Sequence, residues 1–126
     1  MKGVLDTSVV LASDVRPLEG ELAVSAATLA ELHFGVLVAS DQSTRAERLR
    51  RLSILQRQFD PLPVDDAVAA SYGRLAAAVG ANDGQSRARV MDLLIAATAH
   101  AHSARLYTRN AGDLAGLDDL VEIVPV

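Results

Sequence analysis

The 126-residue chain contains no cysteine. That absence excludes a disulfide framework, a thiol nucleophile and any thiolate metal site. Tryptophan is absent too, and the aromatic residues are only four, Phe34, Phe59, Tyr72 and Tyr107. Rings this few and scattered are expected in the core rather than on a base-stacking surface. Lysine occurs once, as Lys2, and the other eleven basic residues are arginine. Long apolar runs are also lacking. The longest, Leu93 to Ala101, is interrupted by Thr98 and His100 and is too short to span a bilayer. At the start, Gly3-Val4-Leu5 meets Asp6 too early for the apolar region of a secretion signal. These absences lead to the expectation of a soluble, cytoplasmic protein with no membrane association.

What is present suits one α/β domain spanning residues 1–126. Half the residues are hydrophobic, and a chain of this size can bury roughly two-thirds of its unfolded surface. The net charge is −4, from 12 basic and 16 acidic residues. An acidic balance argues against a general nucleic-acid binder. Divalent cations held by converging carboxylates would reverse the local sign and weaken that objection.

Strand and helix patterns alternate. Residues 2–5 read as a buried strand ending at Asp6, followed by a short helix over 7–13. A second strand is expected at 21–24, then a helix from Ala26 to Val38 capped by Ser25. Ser43 is the expected cap of an amphipathic helix over 44–58, with Leu49, Leu52 and Leu55 on one side. Leu62-Pro63-Val64 is a candidate edge strand. Asp65 caps a helix that Gly80 stops, and Asn82-Asp83-Gly84 marks a loop. A strongly apolar helix over 88–102, a strand at 105–107, a short helix capped by Asn110 and a strand at 121–124 complete the chain. This order predicts a three-layer α/β/α sandwich around a mostly parallel sheet. Asp6-Thr7-Ser8 and Thr108-Arg109-Asn110 both follow strands. If those strands are neighbours, both clusters face one crevice at the carboxyl edge of the sheet.

Four acids carry the chemical reading. Asp6 stands between strand and helix, where an N-cap is the simple alternative. Glu31 interrupts an apolar helix, where a solvent-facing position is the alternative. Asp92 lies in Val90-Met91-Asp92-Leu93-Leu94-Ile95-Ala96-Ala97. A carboxylate in so apolar a helix needs a partner or a metal, and Arg89 at i−3 offers an ion pair. Asp113 follows Asn110 by three residues, as in a variant capping box. Taken together, the four occupy positions that a parallel sheet can bring to one place. Clustered carboxylates repel and take up protons unless a cation opposes them. An oxygen-only ligand set suits Mg²⁺ or Mn²⁺ rather than Zn²⁺.

The chain resembles the PIN-domain nucleases, in particular the VapC toxins of bacterial toxin–antitoxin pairs. The resemblance rests on four pieces in order. They are Val4-Leu5-Asp6-Thr7-Ser8, the run Ser25 to Gly35 containing Thr28 and Glu31-Leu32, Asp92-Leu93-Leu94-Ile95-Ala96-Ala97-Thr98-Ala99, and Thr108-Arg109-Asn110-Ala111-Gly112-Asp113. Leu114 departs from the pattern, which commonly has Phe there. The resemblance implies a metal-dependent endoribonuclease toxin leaving 5′-phosphate and 3′-hydroxyl ends. It assigns catalytic metal binding, with Mg²⁺ or Mn²⁺, to Asp6, Glu31, Asp92 and Asp113. Supporting hydrogen bonds fall to Thr7 or Ser8, Thr108 and Asn110. It also implies a VapB-like antitoxin, an RNA substrate and a homodimer. Arg109, inside the Thr108–Asn110 cluster, is the favoured RNA-binding side chain. A receiver domain would want a lysine near the last strand, and an aspartyl phosphatase would want an acid where Ser8 stands. The standing alternative is a non-catalytic RNA- or protein-binding module on the same fold.

Overall fold

Consecutive apolar residues in two short strands, β1 (Lys2–Leu5) and β3 (Arg105–Thr108), build the layers, because both faces of each strand are covered. The computed structural model describes residues 2–80 and 86–126. β1 lies between β2 (Glu21–Ala23) and β3, and β4 (Ile123–Pro125) pairs with β3, all in parallel, in the order β2-β1-β3-β4. Successive side chains of a strand point to opposite faces. Val4 and Leu106 therefore enter the core under α4 (Asp66–Ala78) and α5 (Arg87–Ala101). Leu5 and Tyr107 enter a second core, under α1 (Thr7–Val10), α2 (Ala26–Leu37) and α3 (Gln42–Gln58). This is the three-layer α/β/α arrangement expected from the alternation of elements.

The apolar helix behaves as its composition requires. Leu93 and the whole run Ile95 to Ala99 are buried in α5, because the helix packs on both the sheet and α4. Ser71 Oγ and His100 Nδ1, 2.8 Å apart, pin α4 to α5. Ser25 caps α2 by accepting the Ala27 N–H at 3.1 Å. Asp65 caps α4 by accepting the Val68 N–H at 3.0 Å. Gly80 follows α4 with φ +69°, a conformation open to glycine. Among the described residues, no helix is long and apolar enough to cross a membrane.

Several local expectations are corrected. The cap of α3 is Asp41, which accepts the Thr44 N–H at 2.7 Å, so the helix starts before Ser43. Leu49 of that helix is exposed, while Leu52 and Leu55 are buried. Helix α1 ends at Val10 rather than Ser13. Leu62 forms a single bridge to Ser25 instead of a strand. Prolines 61 and 63 flank it and lack the N–H groups a ladder needs. Asn110 precedes a 3₁₀ turn, Ala111–Leu114, but its side chain makes no capping bond. Asn82-Asp83-Gly84 lies outside the described residues.

Gly3 is required by packing. A Cβ there would collide with Cε2 of the Tyr107 ring, which lies across β1. Gly3→Ala is expected to cost about 1–3 kcal/mol, the usual scale of core overpacking. Urea denaturation checks this, and an unchanged midpoint would contradict the close approach.

Candidate active site

A parallel sheet places every strand's carboxyl end on one edge, and the crevice opens where strand order reverses. Here that point lies between β1 and β3. Asp6 follows β1 and Thr108 ends β3, and the Asp6 N–H donates to the Tyr107 carbonyl at 2.9 Å. Helix α5 leads into β3, so its amino-terminal half lies at the same edge and carries Asp92. The turn after β3 carries Asp113. Asp6, Asp92 and Asp113 line one small concavity with Thr108, Asn110 and Leu114. Glu31, from α2, lines an adjoining pocket of about 230 Å³ with Thr7, Leu11, Leu32 and Gly35.

Asp6 is fixed from both strand ends. Its Oδ2 accepts from Ser8 Oγ at 2.6 Å and from Thr108 Oγ1 at 3.0 Å. Each hydroxyl is itself held by a backbone N–H. The Arg109 N–H donates to Ser8 Oγ at 3.0 Å, and the Asn110 N–H donates to Thr108 Oγ1 at 2.9 Å. Both donations fall on one oxygen and set the plane of the carboxylate. Thr7 Oγ1 donates to Glu31 Oε1 at 2.9 Å. Its single proton is then committed, so in the 3.0 Å contact with Thr28 Oγ1 it is the acceptor. Thr7, Ser8 and Thr108 thus contribute side-chain hydroxyls to the acids, whereas Asn110 contributes its backbone and a place on the wall.

Electrostatics tie the four acids together. Burial pushes the Asp92 carboxyl up to about 6, and repulsion from Asp6, Glu31 and Asp113 adds to the rise, with Arg89 opposing it. Asp92 is half-buried rather than enclosed. Arg89 does not form the ion pair with Asp92 that the sequence left open. Its Nη1 donates to the Asp113 carbonyl, joining α5 to the 3₁₀ turn. Among the described residues, no three acids converge as a ready-made metal cage. The cluster is joined by field rather than by contact.

Two residues differ from their expected surroundings. The Arg109 guanidinium is paired with Asp14, so its fork is already engaged. Phe34, expected in the core, is 45% exposed, with the Arg87 guanidinium over its ring. Helical periodicity around Glu31 signals which turn Phe34 occupies but not that its ring is left uncovered.

The family model of the PIN domain matches residues 3–119. The chain belongs to the PIN-domain family. Ribonuclease VapC5 of Mycobacterium tuberculosis is 39% identical over 132 residues, covering 98% of this chain and 95% of that protein. Ribonuclease VapC8 of the same species is 40% identical over 101 residues, covering 77% and 89%. The crystal structure of VapBC-5 from M. tuberculosis, a member of the VapBC family of toxin-antitoxin systems, matches with TM-score 0.79 at 36% identity, covering 99% and 97%. The resemblance drawn from the four sequence pieces therefore holds for fold and family. In this PIN domain Leu114 is buried in the core and also lines the concavity beside Asp113.

Proposed function

We propose that this PIN domain is a divalent-cation-dependent endoribonuclease, acting as the toxin of a toxin–antitoxin pair. The observation that carries the reading is the meeting of Asp6, Asp92 and Asp113 in one concavity, with Glu31 close enough to raise the Asp92 pKa. The names of the sequence relatives, ribonucleases VapC5 and VapC8, and the toxin–antitoxin classification of VapBC-5 support it.

The donor set fits Mg²⁺ or Mn²⁺. Its donors are all oxygen, and its mutual repulsion is the kind that a cation relieves. Mg²⁺ keeps several waters and takes only one or two carboxylates, so an open set of acids suits it better than a closed cage. Asp6, Asp92 and Asp113 would hold the cation, with Glu31 at its side. The chemistry supplied by a bound divalent cation is charge against phosphodiester oxygens and a lowered water pKa. The chain's own part is orientation. Ser8 and Thr108 fix Asp6, Thr7 fixes Glu31, and Arg89 holds the backbone at Asp113. Such supporting bonds tune a metal site strongly. An RNA substrate, a VapB-like antitoxin, a homodimer and the cytoplasm complete the proposal. A non-catalytic binding module has no use for an acid whose proton affinity is raised by burial and by three neighbouring carboxylates.

The test is incubation of the purified protein with total RNA. Fragments with 5′-phosphate and 3′-hydroxyl ends are expected with Mg²⁺ or Mn²⁺ and none with chelator. Intact RNA with both cations, or cleavage unaffected by chelator, would overturn the reading.

A further inference from the structure

Phe34 is the aromatic residue that the fold leaves open. The other three aromatics pack in or against the two cores. Phe34 lies three residues beyond Glu31 on α2, so both sit on neighbouring turns of one helix face. The Arg87 guanidinium lies 4.0 Å from the ring centroid. Arg87 opens α5, the helix that carries Asp92. The pair therefore bridges the two helices that deliver Glu31 and Asp92.

Arg87 also differs from the arginines around it. Arg89 is used on the Asp113 carbonyl, Arg109 on Asp14, Arg48 on the Gly35 carbonyl and Arg51 on the Leu11 carbonyl. Arg87 makes no hydrogen bond or ion pair with the described residues. A guanidinium stacked on a ring keeps its N–H edge directed outward, in the geometry that matches a phosphate. The cleft beside it is strongly acidic, so a polyanion gains little from the protein's overall field. An aromatic platform next to a fork that the other described residues leave unused supplies what the acids cannot, since stacking is independent of charge and the fork is of the opposite sign.

We propose that Phe34 and Arg87 form a nucleotide subsite bridging α2 and α5, with a single-stranded RNA base stacked on the exposed part of the Phe34 ring and its phosphate held by Arg87. The subsite rests on the ribonuclease reading above and names how the substrate is gripped. Both are binding residues, and neither touches the reacting atoms.

The chain has no tryptophan, so Phe34→Trp introduces a single fluorophore at the platform. Single-stranded oligoribonucleotide added to the full-length Phe34→Trp protein is expected to quench it saturably, and adding Arg87→Ala is expected to weaken that binding and flatten its salt dependence. In Mn²⁺, Phe34→Ala is expected to raise KM for a cleaved oligoribonucleotide roughly 5- to 150-fold, the scale of one base stacked on one ring. The value of kcat, the Mn²⁺ half-saturation point and the melting temperature are expected to stay near wild type. Phe34→Trp restores KM, and Arg87→Lys recovers only part of the Arg87→Ala loss. Absence of quenching with an unmoved KM would overturn the subsite while leaving the ribonuclease reading intact. Quenching without any cleavage would keep the subsite and remove that reading. An unmoved KM with lost capture of a co-expressed antitoxin would assign Phe34 to a protein partner instead. A fall in kcat or melting temperature that Phe34→Trp does not restore would make Phe34 structural.

Discussion

Asp92→Asn is expected to lower RNA cleavage on the order of 10³-fold, the scale on which one preorganised polar group is felt in an active site, and at the same time to stabilise the cation-free protein at pH 8. The two effects have one cause. Asp92 sits in the amino-terminal part of α5, next to the buried Leu93, and its charge is opposed by burial and by three other carboxylates. Asparagine has nearly the same shape, keeps the helix and removes the charge. What is lost is a cation ligand, and what is relieved is repulsion. Cleavage of a labelled RNA and thermal melting of the same preparations measure both. A variant that cleaves as fast as wild type, or one that melts earlier without cation, would contradict the shared cause.

The second large effect is the interplay of pH and divalent cation on stability. The Asp92 carboxyl stands at about 6 in the folded protein, against an ordinary value of 3.8. Its folded pKa is raised, so between about 4 and 6 the native state holds a proton that the unfolded chain has released. The Asp92 contribution to stability is therefore favourable at low pH and is lost as pH rises through that window. Wild type minus Asp92→Asn isolates that charge together with its interaction with Asp6, Glu31 and Asp113, because titrating groups elsewhere cancel. The difference in melting temperature is expected to move against wild type from pH 4 to pH 6 and then to level off. Mn²⁺ is expected to reverse it at pH 8. A cation at a hundred times its dissociation constant stabilises by about 2.7 kcal/mol, on the order of 10 °C for a chain of this size. Asp92→Asn is expected to lose most of that gain. A cation shift equal in the two proteins would place the binding elsewhere.

Much of this architecture can be read from local pattern. Asp6 and Thr108 each end a short apolar strand, and parallel pairing of β1 with β3 is what brings them within 3.0 Å. The run from Leu93 to Ala99 declares its burial by being apolar on all sides, which leaves Asp92 conspicuous. The errors share a different cause. Asp41 and Ser43 are both good caps, and where α2 ends and the chain turns decides between them. Leu62 has the composition of a strand, but its flanking prolines limit it to one bridge. The partners of Arg89 and Arg109 lie 24 and 95 residues away in the chain. Local sequence does not encode such contacts, because each is chosen by the packed arrangement of whole elements. The exposure of Phe34 has the same origin. An apolar ring has no local signal that its neighbours will leave it uncovered.

The decisive measurement is cleavage of one defined RNA by wild type and Asp6→Asn across an Mn²⁺ titration. Asp6 is the acid held by two hydroxyls, and its exchange to Asn leaves those donors in place while removing the charge. A catalytic cation held by Asp6 requires that wild type be inactive in chelator and gain activity to saturation with Mn²⁺, while Asp6→Asn stays near background throughout. Equal cleavage by the two proteins, or wild-type cleavage in chelator, would contradict it.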